Sequence, residues 1–308
     1  MVVAQYLLSF REVLEAALLS AIILAFLVKS GRQAMVRYAW YGILAAVGVS
    51  IALGAVIWSA FGVLSEASQK LFEGIAALVA VSVLTSMIFW MALKGRLLKS
   101  AIERRVESVV TQGAIMGLAV VTFILVFREG LETVLFLTPF LVSEPASTLV
   151  GAVLGVGMGS ALAYGIFRMG LKLDLRKFFF LTSILLVLVA GGLLGLGIHE
   201  LIEYAETQGV GVGWFGSDAY DLGLFGGDLD AGIPPDPWHH KGAIGSVFAV
   251  LFGYAAKAEW ARVIAHGAYL AIALPLIVIV YRKPEWVARL GRMFQAAKAV
   301  RAVPESPR

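Results

Sequence analysis

Runs without a single Asp, Glu, Lys or Arg recur along the chain at 38–65, 74–93, 108–127, 145–167 and 178–198. Each approaches or exceeds the roughly 20 residues that carry a helix across a bilayer. A further run, 263–281, is interrupted only by His266. A membrane β-barrel would instead show ten-residue segments of alternating polarity. The first segment, about 2–28, is apolar apart from Arg11, Glu12 and Glu15. It lacks the basic start of a secretory signal and reads as the first membrane helix. The pattern predicts an all-α, polytopic membrane protein with seven transmembrane helices, near 2–28, 38–64, 71–93, 108–142, 145–167, 178–202 and 261–281. A basic surface helix is expected within 94–107, and a bend at Pro139 in the fourth span.

Composition agrees. The 308 residues are 60% hydrophobic and only 15% charged, against about 25% charged in a soluble domain. Mean hydropathy is +0.87. Cysteine is absent, which excludes disulfides, thiolate metal sites and thiol catalysis. The net charge of +4 is no sign of nucleic-acid binding, because the basic residues are sorted by membrane side. Alternate connections hold three, five and four Lys/Arg and the tail from Arg282 seven, nineteen in all. The other side has Lys70, Lys241, Lys257 and Arg262. The positive-inside rule then puts the N-terminus outside and the C-terminus in the cytoplasm, as expected of a multi-pass protein of the cell membrane.

An internal repeat organises the rest. The segment F-R-E-G-L-E-T-V-L at 127–135 matches F-R-E-V-L-E-A-A-L at 10–18 in six positions of nine, charged ones included. With the orientation above, the two copies open two three-helix units of opposite direction, 1–107 and 108–205. Inverted repeats of this kind place a transporter's substrate site near the midplane where they meet. The remaining parts are an outer acidic loop at 206–260, a seventh helix at 261–281 and a tail at 282–308.

Residues four apart share a helix face, so Arg11 can pair with Glu15 and Arg128 with Glu132, with Glu12 and Glu129 close by. Together the two motifs bring four carboxylates and two guanidiniums, a formal charge of −2. Each ionised group at the bilayer centre costs about 2.5–3.5 kcal/mol. Six cost roughly 15–20 kcal/mol by simple addition, more than the net stability of a typical domain. Pairing and protonation reduce the cost, and a bound cation offsets it most directly. A site with oxygen ligands favours hard cations. An Arg–Glu pair alone can be interhelical glue, but a surplus carboxylate in each copy is poor glue because it needs a proton or another partner.

With these motifs the chain resembles the oxidase-dependent iron permeases, the high-affinity iron transporters of fungi and bacteria. Their R-E-x-x-E hallmark is matched at Arg11–Glu15 and Arg128–Glu132, with Val13 where glycine is common. The likeness extends to E-G-I-A-A-L-V-A-V at 73–81, H-E-L at 199–201 with Glu203 just after, and L-F-G-Y at 251–254. The resemblance implies seven spans, iron as transported substrate rather than cofactor, and Glu12, Glu15, Glu129 and Glu132 as its ligands, supported by Arg11 and Arg128. It also implies delivery by a separate ferroxidase or periplasmic iron-delivery protein. Nothing in the chain oxidises iron by itself.

Further candidates lie toward the outer side. Glu73 reads as an entry ligand or an interfacial residue. Glu200 and Glu203, supported by His199, form either a metal-capture group or a hydrated interfacial cluster. His239 and His240 beside Asp236 are read as solvated loop residues. In the outer loop, Asp218, Asp221, Asp228, Asp230, Asp236, Glu206 and Glu259 would concentrate cations at the mouth. Asp228 and Asp230 begin like an EF-hand loop, but Ile233 and His239 stand where Gly and Glu are required. The run 242–256 is too short to span and reads as re-entrant or interfacial. Glycines 151, 155 and 159 read as a close-packing stripe, and the tail as an amphipathic helix on an anionic leaflet. Three function classes follow: an iron permease, a carrier of another cation such as manganese or a proton-coupled carrier, and an intramembrane metal-dependent prenyl-diphosphate transferase. The last would need acidic motifs on a cytoplasmic face that is basic here, so the protein is expected not to be an enzyme.

Overall fold

The computed structural model describes residues 2–94, 98–111, 115–168, 175–227, 233, 235–240, 242 and 244–282. The tail expected to form an amphipathic helix lies outside these residues from 283 onward, as do Asp228, Asp230 and Lys241. In chain order the helices are α1 (Val2–Lys29), α2 (Val36–Phe61), α3 (Glu66–Lys94), α4 (Leu98–Thr111), α5 (Ile115–Ser143), α6 (Pro145–Arg168), α7 (Leu175–Thr207), α8 (Gly245–Phe252) and α9 (Trp260–Arg282). Two short strands, β1 (Asp218–Asp221) and β2 (Lys257–Glu259), form an antiparallel ribbon in the connection between α7 and α9.

Local chemistry sets the helix ends. Gly31, at φ 72°, supplies the left-handed residue that ends α1. Pro145 opens α6, where its missing N–H costs nothing. α5 continues through Pro139 to Ser143. α4 reaches further than the charge pattern indicates, so α5 begins at Ile115 rather than near 108. The reason is periodicity: Ile102, Val106 and Val110 recur every four residues and are buried against Leu19, Ile23 and Leu27 of α1. The apolar residues at 109–110 thus complete an amphipathic surface helix instead of starting a membrane span.

Among the described residues five helices, α2, α3, α6, α7 and α9, are long and apolar enough to cross a bilayer. Exposed Leu44, Ile51 and Val56 on α2, and Leu149, Val153 and Leu154 on α6, form outward apolar surfaces that water would not tolerate on this scale. The chain is an all-α polytopic membrane protein. α1 and α5, with 28 and 29 residues, are as long as the spans and differ from them in carrying the charged motifs. α8, eight residues long, rises only about 12 Å and ends at Gly253, φ 63°.

The most extensively packed helix pairs are α1 with α6, α2 with α5, and α3 with α7, while α1 also packs against α5. The glycine stripe explains the first pair. A Cβ on Gly155 would stand 2.7 Å from the Tyr6 carbonyl oxygen and from Ser9 Cβ, and one on Gly151 2.7 Å from the Val2 carbonyl. Gly42 brings α2 equally close to the Ala119 carbonyl of α5. α9 packs on α7 and α3, tied by Thr85–Tyr269 (2.8 Å) and Ser183–Tyr281 (3.2 Å) hydroxyl pairs. We expect Gly155→Ala to cost about 1–3 kcal/mol by overpacking, seen as a lower unfolding temperature in detergent. Gly157→Ala, whose added Cβ meets nothing within 4 Å, should be neutral in the same assay.

Candidate metal centre

α1 carries Arg11, Glu12 and Glu15, and α5 carries Arg128, Glu129 and Glu132; the contact between these helices brings the acidic groups together. Glu12, Glu15, Glu129 and Glu132 are 1%, 7%, 5% and 6% exposed, so water cannot solvate them. Glu12, Glu15 and Glu129 each offer a carboxylate oxygen within 4.8 Å of the other two. Trans ligands around an ion with 2.1 Å bonds stand about 4.2 Å apart, so small side-chain movements suffice to close the three on one cation. Glu12 Oε2, Glu129 Oε2 and Glu132 Oε2 are buried and accept no hydrogen bond among the described residues.

The two motif copies differ in their surroundings. Arg11, 2% exposed, donates from Nη1 to Glu12 Oε1 at 2.7 Å and to Met87 Sδ at 2.9 Å. Its Nη2 stands 2.7 Å from Glu15 Oε1, in a geometry too bent for a hydrogen bond. Among the described residues Arg128 pairs with Glu132 alone, Nε to Oε1 at 2.8 Å; it keeps 44% of its side chain exposed and lies 5.0 Å from the centroid of the Trp90 ring. Glu129 is therefore the carboxylate of the cluster with no arginine within salt-bridge distance among the described residues. The structure also accounts for Val13. It faces Gly159 of α6, whereas Gly130, its counterpart in the second motif, has its missing side chain replaced by Ser50 of α2. Bulk on one helix is matched by its absence on the facing one.

Glu73, His199, Glu200 and Glu203 gather in a separate cluster, apart from the central carboxylates, where α3 meets the C-terminal end of α7. Lys70 Nζ donates to Glu203 Oε2 at 2.7 Å. His199 stands 3.4 Å from Glu203 Oε1 through Nε2 and 2.8 Å from Glu259 Oε1 through Nδ1. Glu73 lies in the field of Glu200 and Glu203. Glu259, expected on the loop rim, is buried instead, because β2 turns it inward onto His199 while Lys257 points out to Asp218 at 3.0 Å. Burial pushes the Glu259 carboxyl up, but the hydrogen bond and charge of His199, with help from Arg262, outweigh it and hold the carboxyl below its usual range.

The loop acids have structural duties. Asp221 Oδ1 accepts from Gly223 N at 2.9 Å, and Asp236 Oδ2 from Phe225 N at 2.7 Å. His239 is not the solvated residue expected: it is 8% exposed, its ring centroid lies 4.0 Å from that of His240 with the planes tilted by 36°, and it is covered by Gly226. The turn formed when His239 N bonds the Asp236 carbonyl folds it under the loop. His240 Nδ1 accepts from Ala256 N at 3.3 Å. Sequence reasoning missed Met87, Trp90 and the inward Glu259. None carries a local signal, since each is defined by a contact with a residue distant in the chain.

A family model described as the iron permease FTR1 family matches residues 2–281. Among curated proteins, an uncharacterized protein of Archaeoglobus fulgidus is 42% identical over 89% of this chain and 93% of its own length. A ferrous iron permease EfeU of Yersinia pestis is 31% identical over 96% of this chain and 98% of its own. The corresponding permease of an Escherichia coli strain is 37% identical over 64% and 73%. No solved structure matches.

Proposed function

Because the chain belongs to the iron permease FTR1 family, a family of transporters rather than enzymes, we propose that it imports ferrous iron through the carboxylate cluster between α1 and α5. The observation that carries the reading is the approach of Glu12, Glu15 and Glu129 oxygens to within 4.8 Å in a buried site. Carboxylates that cannot be hydrated need a counter-charge, and the two arginines neutralise only half of the four. A divalent cation supplies the remainder. Iron is the transported substrate and not a resident cofactor.

In this reading α1, α2, α3, α5, α6, α7 and α9 make seven spans of the cell membrane, with the N-terminus outside. The units α1–α3 and α5–α7 are inverted repeats. Two features support this: the 10–18 and 127–135 motifs, and a helix pairing that is unchanged when α1, α2 and α3 are exchanged for α5, α6 and α7. The outer cluster of Glu73, Glu200 and Glu203, with His199, takes the incoming ion, and a separate ferroxidase or periplasmic iron-delivery protein provides it. Rocking of the repeats then carries access inward.

The all-oxygen ligand set also suits manganese, which makes a broader divalent-cation carrier the alternative. Labelled ferrous iron uptake into proteoliposomes, with increasing unlabelled manganese, separates them. We expect a hundredfold excess of manganese to leave more than half of the iron flux. Equal competition at equal concentrations would contradict iron selectivity.

A further inference from the structure

Among the described residues, three fully buried polar side chains outside the motifs keep unpaired atoms. Gln5, Ser9 and Thr122 are each 0% exposed. Gln5 Oε1, Ser9 Oγ and Thr122 Oγ1 have no hydrogen-bond partner among the described residues. Gln5 reaches one neighbour, Thr148 Oγ1, with a long 3.5 Å bond from its Nε2. A buried polar atom without a partner costs stability unless something intermittently supplies the missing bond.

Their positions relate them to the glutamates. On α1, residues 5, 9 and 12 follow spacings of four and three and so share one helix face, with Gln5 about 10 Å from Glu12 along the axis. On α5, Thr122 precedes Glu129 by the same seven residues. Gln5 and Thr122 are therefore equivalent positions of the repeat. On the other side of the glutamates the same faces are apolar: Leu19 and Ile23 on α1, Phe136 and Phe140 on α5, all buried. On α1 a polar row thus runs from the glutamates through Ser9 to Gln5, while on α5 Thr122 alone stands on the N-terminal side, with buried Val126 at the position equivalent to Ser9.

We infer that Gln5 and Ser9 line the outer half, and Thr122 the inner half, of the route by which a partly hydrated divalent cation reaches and leaves the glutamates. Amide and hydroxyl oxygens are hard neutral ligands, suited to passing on such an ion without holding it. The inference rests on the proposed transport function, since it needs α1 and α5 to run in opposite directions through the membrane. The outer row is closed in this structure: Gly151 and Gly155 of α6 lie directly against Gln5 and Ser9. Opening it requires α1 and α6 to part.

The absence of cysteine provides the test. Single Ser9→Cys and Thr122→Cys variants, near-isosteric changes, are exposed in sealed vesicles to a membrane-impermeant cationic thiol reagent from either side. Ser9→Cys should react from outside only and Thr122→Cys from the cytoplasmic side only, while Leu19→Cys and Phe136→Cys stay inert. Saturating ferrous iron should slow both reactions at least threefold. As a second readout, Gln5→Leu should reduce iron uptake at least fivefold with equilibrium iron binding retained. Inert Ser9→Cys and Thr122→Cys, labelling of both from one side, or full uptake by Gln5→Leu would overturn the inference. Failure of the proposed carboxylate site would show differently, as iron uptake that survives Glu129→Gln, and failure of the transport reading as a parent protein that takes up no iron.

Discussion

Glu129→Gln abolishes ferrous iron uptake and leaves the protein at least as stable as the parent. The two outcomes have one cause. Glu129 is the cluster carboxylate without an arginine within salt-bridge distance among the described residues, and its Oε2 is buried without a hydrogen bond. Keeping it ionised costs folding energy that only a bound cation returns. Glutamine has the same shape and removes that cost, so the unfolding temperature in metal-free detergent should stay level or rise. It also removes one of three converging anionic ligands. We expect uptake below about one twentieth of the parent rate, equivalent to about 1.8 kcal/mol or more of lost ion stabilisation. Flux measured beside thermal unfolding checks both halves; a variant that merely unfolds would lose both together.

Removing Arg11 has the opposite signature. Its guanidinium is buried between Glu12, Glu15 and Met87. Arg11→Met leaves two buried carboxylates without their cation, a loss of about 3–5 kcal/mol for a broken buried pair. A protein with a net stability of roughly 5–15 kcal/mol can lose its fold to such a change, so little monodisperse protein should be recovered. Arg128→Met should be milder. That side chain is 44% exposed, and its loss strips one buried carboxylate, Glu132, of its cation where Arg11→Met strips two, with about 0.5–1 kcal/mol more from the Trp90 ring. Fluorescence-detected size exclusion across a temperature series reads the contrast. Equal destabilisation by the two substitutions would mean that the motif copies are equivalent, contrary to the geometry.

The sequence shows the repeat but not its asymmetry. Arg11, Glu12, Glu15 and their counterparts 117 residues later stand out because charge in an apolar run is rare and identical spacing in two such runs rarer still. Their helical spacing also predicts the two i,i+4 pairs. That Arg11 is enclosed and Arg128 is not depends on Met87 and Trp90 of α3, placed by tertiary packing. The misplaced start of α5 has a similar origin: Val110 is apolar in sequence whether it faces lipid or the core, and only the contact with α1 decides. From the sequence Glu259 and His239 read as loop residues because loops are usually wet, yet the β1–β2 ribbon and the turn from Asp236 fold them inward. Gln5, Ser9 and Thr122 look unremarkable in the sequence and become informative only once their burial and missing partners are known.

Equilibrium binding of labelled ferrous iron to the purified protein, under reducing conditions, tests the shared-site claim most directly. One ion per chain should bind the parent, and Glu12→Gln on α1 and Glu129→Gln on α5 should each remove it, with the folded state retained in both. Undiminished binding to either variant would mean that the ion does not sit between the two helices.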